Sequence, residues 1–97
     1  MVNKIPQDIF GTSVITGGQM RAARAFLRWT ANDLAKAAKV GVMTIRRAEA
    51  EDGVPQKMLV NNVEAIRRAL EAAGIEFTNG DAPGVRMVKA KKARPAG

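Results

Sequence analysis

The apolar positions of the chain fall into four helical stripes followed by one alternating stretch. Over 18–28, Met20, Ala23 and Leu27 return to one face at about 100° per residue, with Phe26 on its flank. Thr16 or Gly17 can cap this helix, and Arg21, Arg24 and Arg28 form a basic stripe beside the apolar one. Two short helices follow, over 31–39 and 42–51. Leu34, Ala35, Ala38, Val40 and Ile45 stand where such a pair must touch. Thr30 is a good N-cap, and Asp33 lies three residues on, a capping box with Asp in place of Glu. Lys39-Val40-Gly41 interrupts the period, Gly41 can cap the next helix, and Asp52-Gly53 with Pro55 stops it. A fourth helix begins between 57 and 61 and ends at Gly74, a residue suited to the position after a helix. Val63, Ile66, Leu70 and Ala73 make its stripe, and Glu64–Arg68 and Arg67–Glu71 are i,i+4 ion pairs. Trp29, the only tryptophan, is read as closing the core between the first two helices.

After Gly74 the period changes. Ile75-Glu76-Phe77-Thr78 alternates, 79–84 has the composition of a turn, and Val85-Arg86-Met87-Val88 alternates again, so a short hairpin with a six-residue loop is expected. The predicted fold is mainly α: four helices over 16–88 ending in a C-terminal β-hairpin. Residues 1–15 lack a period, yet Ile5, Ile9, Phe10, Val14 and Ile15 are too apolar for a typical solvated tail. Two readings stand for them, an arm packed on the domain or a partner, and a loose arm. The tail over 89–97 is too polar and basic to pack and is expected to be disordered.

A chain of 97 residues makes one small domain with a modest core. It contains no cysteine and no histidine, so disulfides, thiolate metal sites and the commonest general base are absent. The carboxylates are scattered and form no catalytic constellation, so neither an enzyme, a metal nor a cofactor is expected. No apolar run approaches the roughly 20 residues of a membrane span, and residues 1–10 lack the apolar core of a leader. A cytoplasmic location is therefore expected. Charge changes the picture more. Residues 1–47 carry eight basic and two acidic groups, 48–81 three basic and seven acidic, and 82–97 five basic and none acidic. That partition suggests a face made for a polyanion.

At 30–50 the chain resembles the helix-turn-helix of the lambda-repressor/Cro-like (Xre) family. The residues that carry the resemblance are Thr30, Leu34-Ala35, Ala38, Val40, Thr44-Ile45 and Glu49. Members of the family similarly end in a GIEF-like segment, a Gly-rich loop and a GVR-like strand, so the resemblance covers roughly 16–88. It implies a DNA-binding regulator whose third helix reads the major groove. It also implies that Arg24 pairs with Glu49, and Glu49 falls about 40° from Ile45 on the helical wheel, pointing inward. Four positions depart from the family. Ala31 stands where Gln usually opens the second helix, Lys39 where Gly is frequent in the turn, and Gly41 where Ser, Thr or Asn caps the third helix. Ala48 replaces a large apolar residue, which predicts either a thinner core beneath that helix or a space filled by Trp29.

With Ile45 facing the core, Met43, Arg46, Arg47 and Ala50 project the other way. Arg suits bidentate contact with guanine, Met43 and Val42 offer apolar contact of the kind a thymine methyl accepts, and Thr44 can reach a phosphate. The start of the second helix, with Thr30 and Asn32, suits a phosphate. Lys36 and Lys39, with Arg21 and Arg28, extend the electrostatic contact. The candidate DNA-binding residues are thus Thr30, Asn32, Lys39, Gly41, Val42, Met43, Thr44, Arg46 and Arg47. The expected partner is double-stranded DNA, bound by a homodimer whose surface is on the fourth helix or the hairpin. The alternative is a protein-interaction module, an antiactivator or antitoxin-like protein, that keeps the scaffold without strong DNA reading.

Overall fold

The computed structural model describes residues 15–53, 55, 60–78 and 83–88. Among them, four helices precede one antiparallel two-stranded hairpin. They are α1 (Gly17–Leu27), α2 (Ala31–Ala38), α3 (Val42–Glu49), α4 (Val60–Ala72), β1 (Ile75–Thr78) and β2 (Gly84–Met87). The arm up to residue 14, the tail over 89–97 and most of the hairpin loop lie outside the described residues. No helix among the described residues is long and apolar enough to cross a membrane.

Each helix end has a local cause. α1 starts one residue earlier than expected because Thr16 and Gln19 close a full capping box. Thr16 N donates to Gln19 Oε1 at 2.8 Å and Gln19 N to Thr16 Oγ1 at 2.9 Å. α1 ends at Leu27 because Arg28 turns left-handed at φ 59°. α2 likewise stops at Ala38, with Lys39 at φ 61°, and Val40 N then reaches back to Ala35 O at 3.0 Å. Lys39 thus adopts the left-handed conformation that glycine takes most easily, at a cost of roughly 1 kcal/mol. α3 ends at Glu49, two residues short of expectation, because the carbonyls beyond it are turned onto α1. Gly17 N donates to Gly53 O at 2.9 Å, Gly18 N to Asp52 O at 3.2 Å, and the Arg21 guanidinium to Glu49 O.

The core is built by Ile15, Met20, Leu34, Ile45, Ile66 and Leu70, all fully buried, with Trp29, Val63 and Ile75 nearly so. Each such side chain contributes about 1.5–3 kcal/mol of burial. Ile15, the last residue of the expected arm, therefore belongs to the core. Ala48 is fully buried as well, and its close neighbour is the backbone of α1. A Cβ added at Gly17 would overlap the carbonyl oxygen of Glu51 and stand 2.5 Å from that of Ala48. Small residues at Gly17 and Ala48 let the start of α1 approach the end of α3 closely.

In the hairpin Ile75 pairs with Met87, Glu76 with Arg86, Phe77 with Val85 and Thr78 with Gly84. The second strand begins one residue earlier than expected, at Gly84, and Val88 N instead donates to Gly74 O at 2.8 Å. Ile75, Phe77, Val85 and Met87 share the face that packs on the core, while Arg86 and Glu76 form an ion pair on the other. Gln19 fastens the hairpin to α1: its Nε2 donates to Thr78 O and to Gly84 O, both at 2.9 Å. Phe26, on the flank of the apolar face of α1, is 52% exposed.

Candidate nucleic-acid interface

The α2–α3 segment is positioned from both ends. At the start of α2, Thr30 N donates to Asp33 Oδ2 at 2.8 Å and Asp33 N to Thr30 Oγ1 at 3.0 Å, the reciprocal box expected from sequence. The Asp33 carboxylate thereby complements the positive end of α2, and Asn32 is left as the exposed polar side chain of that turn. Lys39, Val40 and Gly41 make the connection. Gly41 caps α3 with extended backbone, φ −71° and ψ 151°, and gives no side-chain bond. Nothing lies within 4 Å of a Cβ built on it, so a serine or threonine would fit there.

The other end of α3 is held by the ion pair between Arg24 and Glu49. Arg24 Nε donates to Glu49 Oε2 and Nη2 to Glu49 Oε1, both at 2.8 Å, and Nη1 donates to Trp29 O at 3.0 Å. Glu49 is only 8% exposed. The hydrogen bonds that Arg24 donates to the Glu49 carboxylate, opposed by burial, raise the Arg24 pKa above its ordinary value. Arg24 is therefore fully occupied inside the fold. Arg21 is occupied too, by Glu49 O and by Asp52 Oδ1 at 2.5 Å. Of the α1 stripe only Arg28 stays unengaged.

Along α3 the exposure alternates as the wheel demands. Ile45, Ala48 and Glu49 are buried, Val42 and Thr44 are half-buried, and Met43, Arg46, Arg47 and Ala50 are exposed. The structure thus brings Met43, Arg46 and Arg47 onto one outward side of α3, and Thr30, Asn32, Lys39 and Gly41 of the preceding helix and turn are exposed as well. Val42 packs against the core and Thr44 is partly covered, so they offer less surface than their neighbours.

A pattern emerges when the ion pairs are taken together. Five described cations each hold a carboxylate: Arg21 with Asp52, Arg24 with Glu49, Arg67 with Glu64 and Glu71, Arg68 with Glu64, and Arg86 with Glu76. The other five, Arg28, Lys36, Lys39, Arg46 and Arg47, hold no carboxylate and no hydrogen-bond acceptor. All five lie within 28–47, on α2, α3 and the turns that flank α2.

Other chemistry is sparse. Among the described residues no group of three or more carboxylates converges as a metal site would require. A groove of about 470 Å³ lies between the start of α1, the turn at Asp52-Gly53 and the hairpin, and it shares no residue with the α2–α3 segment. No known protein family, curated protein or solved structure matches this chain.

Proposed function

We propose that this protein is a lambda-repressor/Cro-like DNA-binding regulator that lays α3 in the major groove and reads sequence with Arg46 and Arg47. The observation that supports this most is the partition of cations. Every described arginine outside 28–47 is neutralised by a carboxylate, while the cations of the α2–α3 segment and of Arg28 are held open. Unpaired cations have no internal ion pair to break when they turn to phosphates, and each phosphate contact releases a counterion from the duplex. A guanidinium presented on a helix face can take guanine O6 and N7 bidentately. One helix covers few bases, so a homodimer on a pseudo-palindrome is the natural assembly. Repression or autoregulation in the cytoplasm is the accompanying biological reading.

The experiment is a titration of specific and scrambled duplexes at one salt concentration. Arg46→Ala and Arg47→Ala should each cost about 1–3 kcal/mol on the specific site and much less on the scrambled one. Arg68→Ala, whose partner is Glu64, should change neither. Equal losses on both duplexes would reduce the two arginines to phosphate contacts. Ala31 favours a second reading, a protein-interaction module: it is half-buried against the core and gives DNA no polar group at the start of α2. Binding to a protein partner through apolar contact would be insensitive to salt, whereas DNA binding through phosphates would fall steeply with it.

A further inference from the structure

The outward side of α3 carries two different chemistries. Arg46 and Arg47 present charged forks, and Met43 presents an apolar tip. Met43 is 56% exposed, whereas Val42 and Thr44 beside it are half-buried and Ile45 is fully buried. It is therefore the only exposed side chain among the first four residues of α3. Arg46 and Arg47 follow at three and four residues, so their Cβ atoms stand about 5–6 Å from that of Met43. Stacked base pairs are about 3.4 Å apart along a strand. The Met43 tip and one guanidinium can thus address neighbouring base pairs.

A thioether has no donor and is a weak acceptor. Most base edges in the major groove present N7, O6, O4 or an amino group, and pressing a methionine on any of these strips water without supplying a partner. One edge is different. A pyrimidine that carries a methyl on C5 presents an apolar knob, and Met43 can bury it. We infer that Met43 makes this reading head selective for a C5-methylated pyrimidine beside a guanine: thymine, or 5-methylcytosine, whose methyl occupies the same place in the groove. The inference rests on the DNA-binding reading above and names the chemical group that reading would recognise.

The test starts from half-sites enriched from a random duplex library by the full chain. Each thymine is then replaced singly by deoxyuridine, which removes the methyl alone. Binding should fall about fourfold at one position next to a guanine, the worth of one buried methyl. A cytosine placed there should bind about fourfold better when methylated at C5. Met43→Ala should be indifferent to both changes, and Met43→Leu should keep both responses. Both variants should melt like the wild type, because the side chain is outside the core. If every deoxyuridine duplex binds as tightly as its thymine parent, or if Met43→Ala keeps the methyl response, the inference fails while DNA binding stands. A library from which nothing is enriched would overturn the DNA-binding reading and this inference with it.

Discussion

At the residue scale, the pair between Arg24 and Glu49 shows how much one side chain can be asked to hold. Read as a stripe on α1, Arg24 is one more cation for DNA. In the fold it spans from the end of α1 to the end of α3 with a two-pronged grip on a carboxylate that has almost no access to water. Removing one partner would leave the other charged and buried, which costs about 3–5 kcal/mol, far beyond the worth of an exposed pair. Arg24→Ala should therefore lower stability by that amount in a urea titration, and Arg68→Ala, on the exposed side of α4, should change it by less than about 0.5 kcal/mol. An Arg24→Ala protein as stable as the wild type but weaker on DNA would reverse the assignment. Lys39 and Arg28 make the complementary point. Both sit left-handed at helix ends, and the segment accepts that strain while leaving their charges free.

At the element scale, the placement of α3 depends on the start of α1 coming close to its end. Gly17 is the residue that permits it. Gly17→Ala would drive a methyl into the carbonyls of Glu51 and Ala48, which are backbone and have little room to give. Overpacking of that kind costs about 1–3 kcal/mol or more. Gly53→Ala, where the added carbon meets nothing within 4 Å, should be neutral to about 0.5 kcal/mol. Thermal melts of the two variants check the contrast, and equal melting temperatures would remove the close α1–α3 contact from the account. These elements also show what sequence can and cannot tell. The α2–turn–α3 unit was legible because its signals, Thr30, Asp33, Gly41 and the apolar spacing, all act within a few residues. The capping box at Thr16 and Gln19 is equally local and could have been read. Gln19 Nε2 is another matter, since its acceptors are 59 and 65 residues away, and no period in α1 announces them. The destination of Arg21 and the hairpin register are hidden for the same reason, because each is fixed by a partner element rather than by its own neighbours.

At the scale of the whole molecule, the net charge of +7 says less than its distribution. Charge that is paired within the fold is locally neutral and adds little to the field a polyanion meets. Charge that is unpaired sums over its face. The relevant number is then the five open cations of 28–47 among the described residues, rather than all the basic groups of the chain. This has a measurable consequence in the salt dependence of DNA binding. Each cation that contacts a phosphate contributes about 0.9 to the slope of log affinity against log salt, and a homodimer doubles every contribution. Changing Lys36, Lys39 or Arg28 to Ala should therefore flatten the slope, by up to about 0.9 per protomer, and weaken specific and scrambled duplexes alike. Changing Arg68 or Arg86, each already held by a carboxylate, should leave the slope where it was. Reversing the carboxylates gives the converse. Glu64→Gln releases Arg68 and loosens Arg67 on α4, which carries none of the proposed DNA-binding residues, so affinity for DNA should not rise. If it does rise, or if Arg86→Ala flattens the slope as much as Lys36→Ala, the polyanion meets more of the surface than the open face of α2 and α3, and the partition of charge would have to be read as solubility rather than as a docking face.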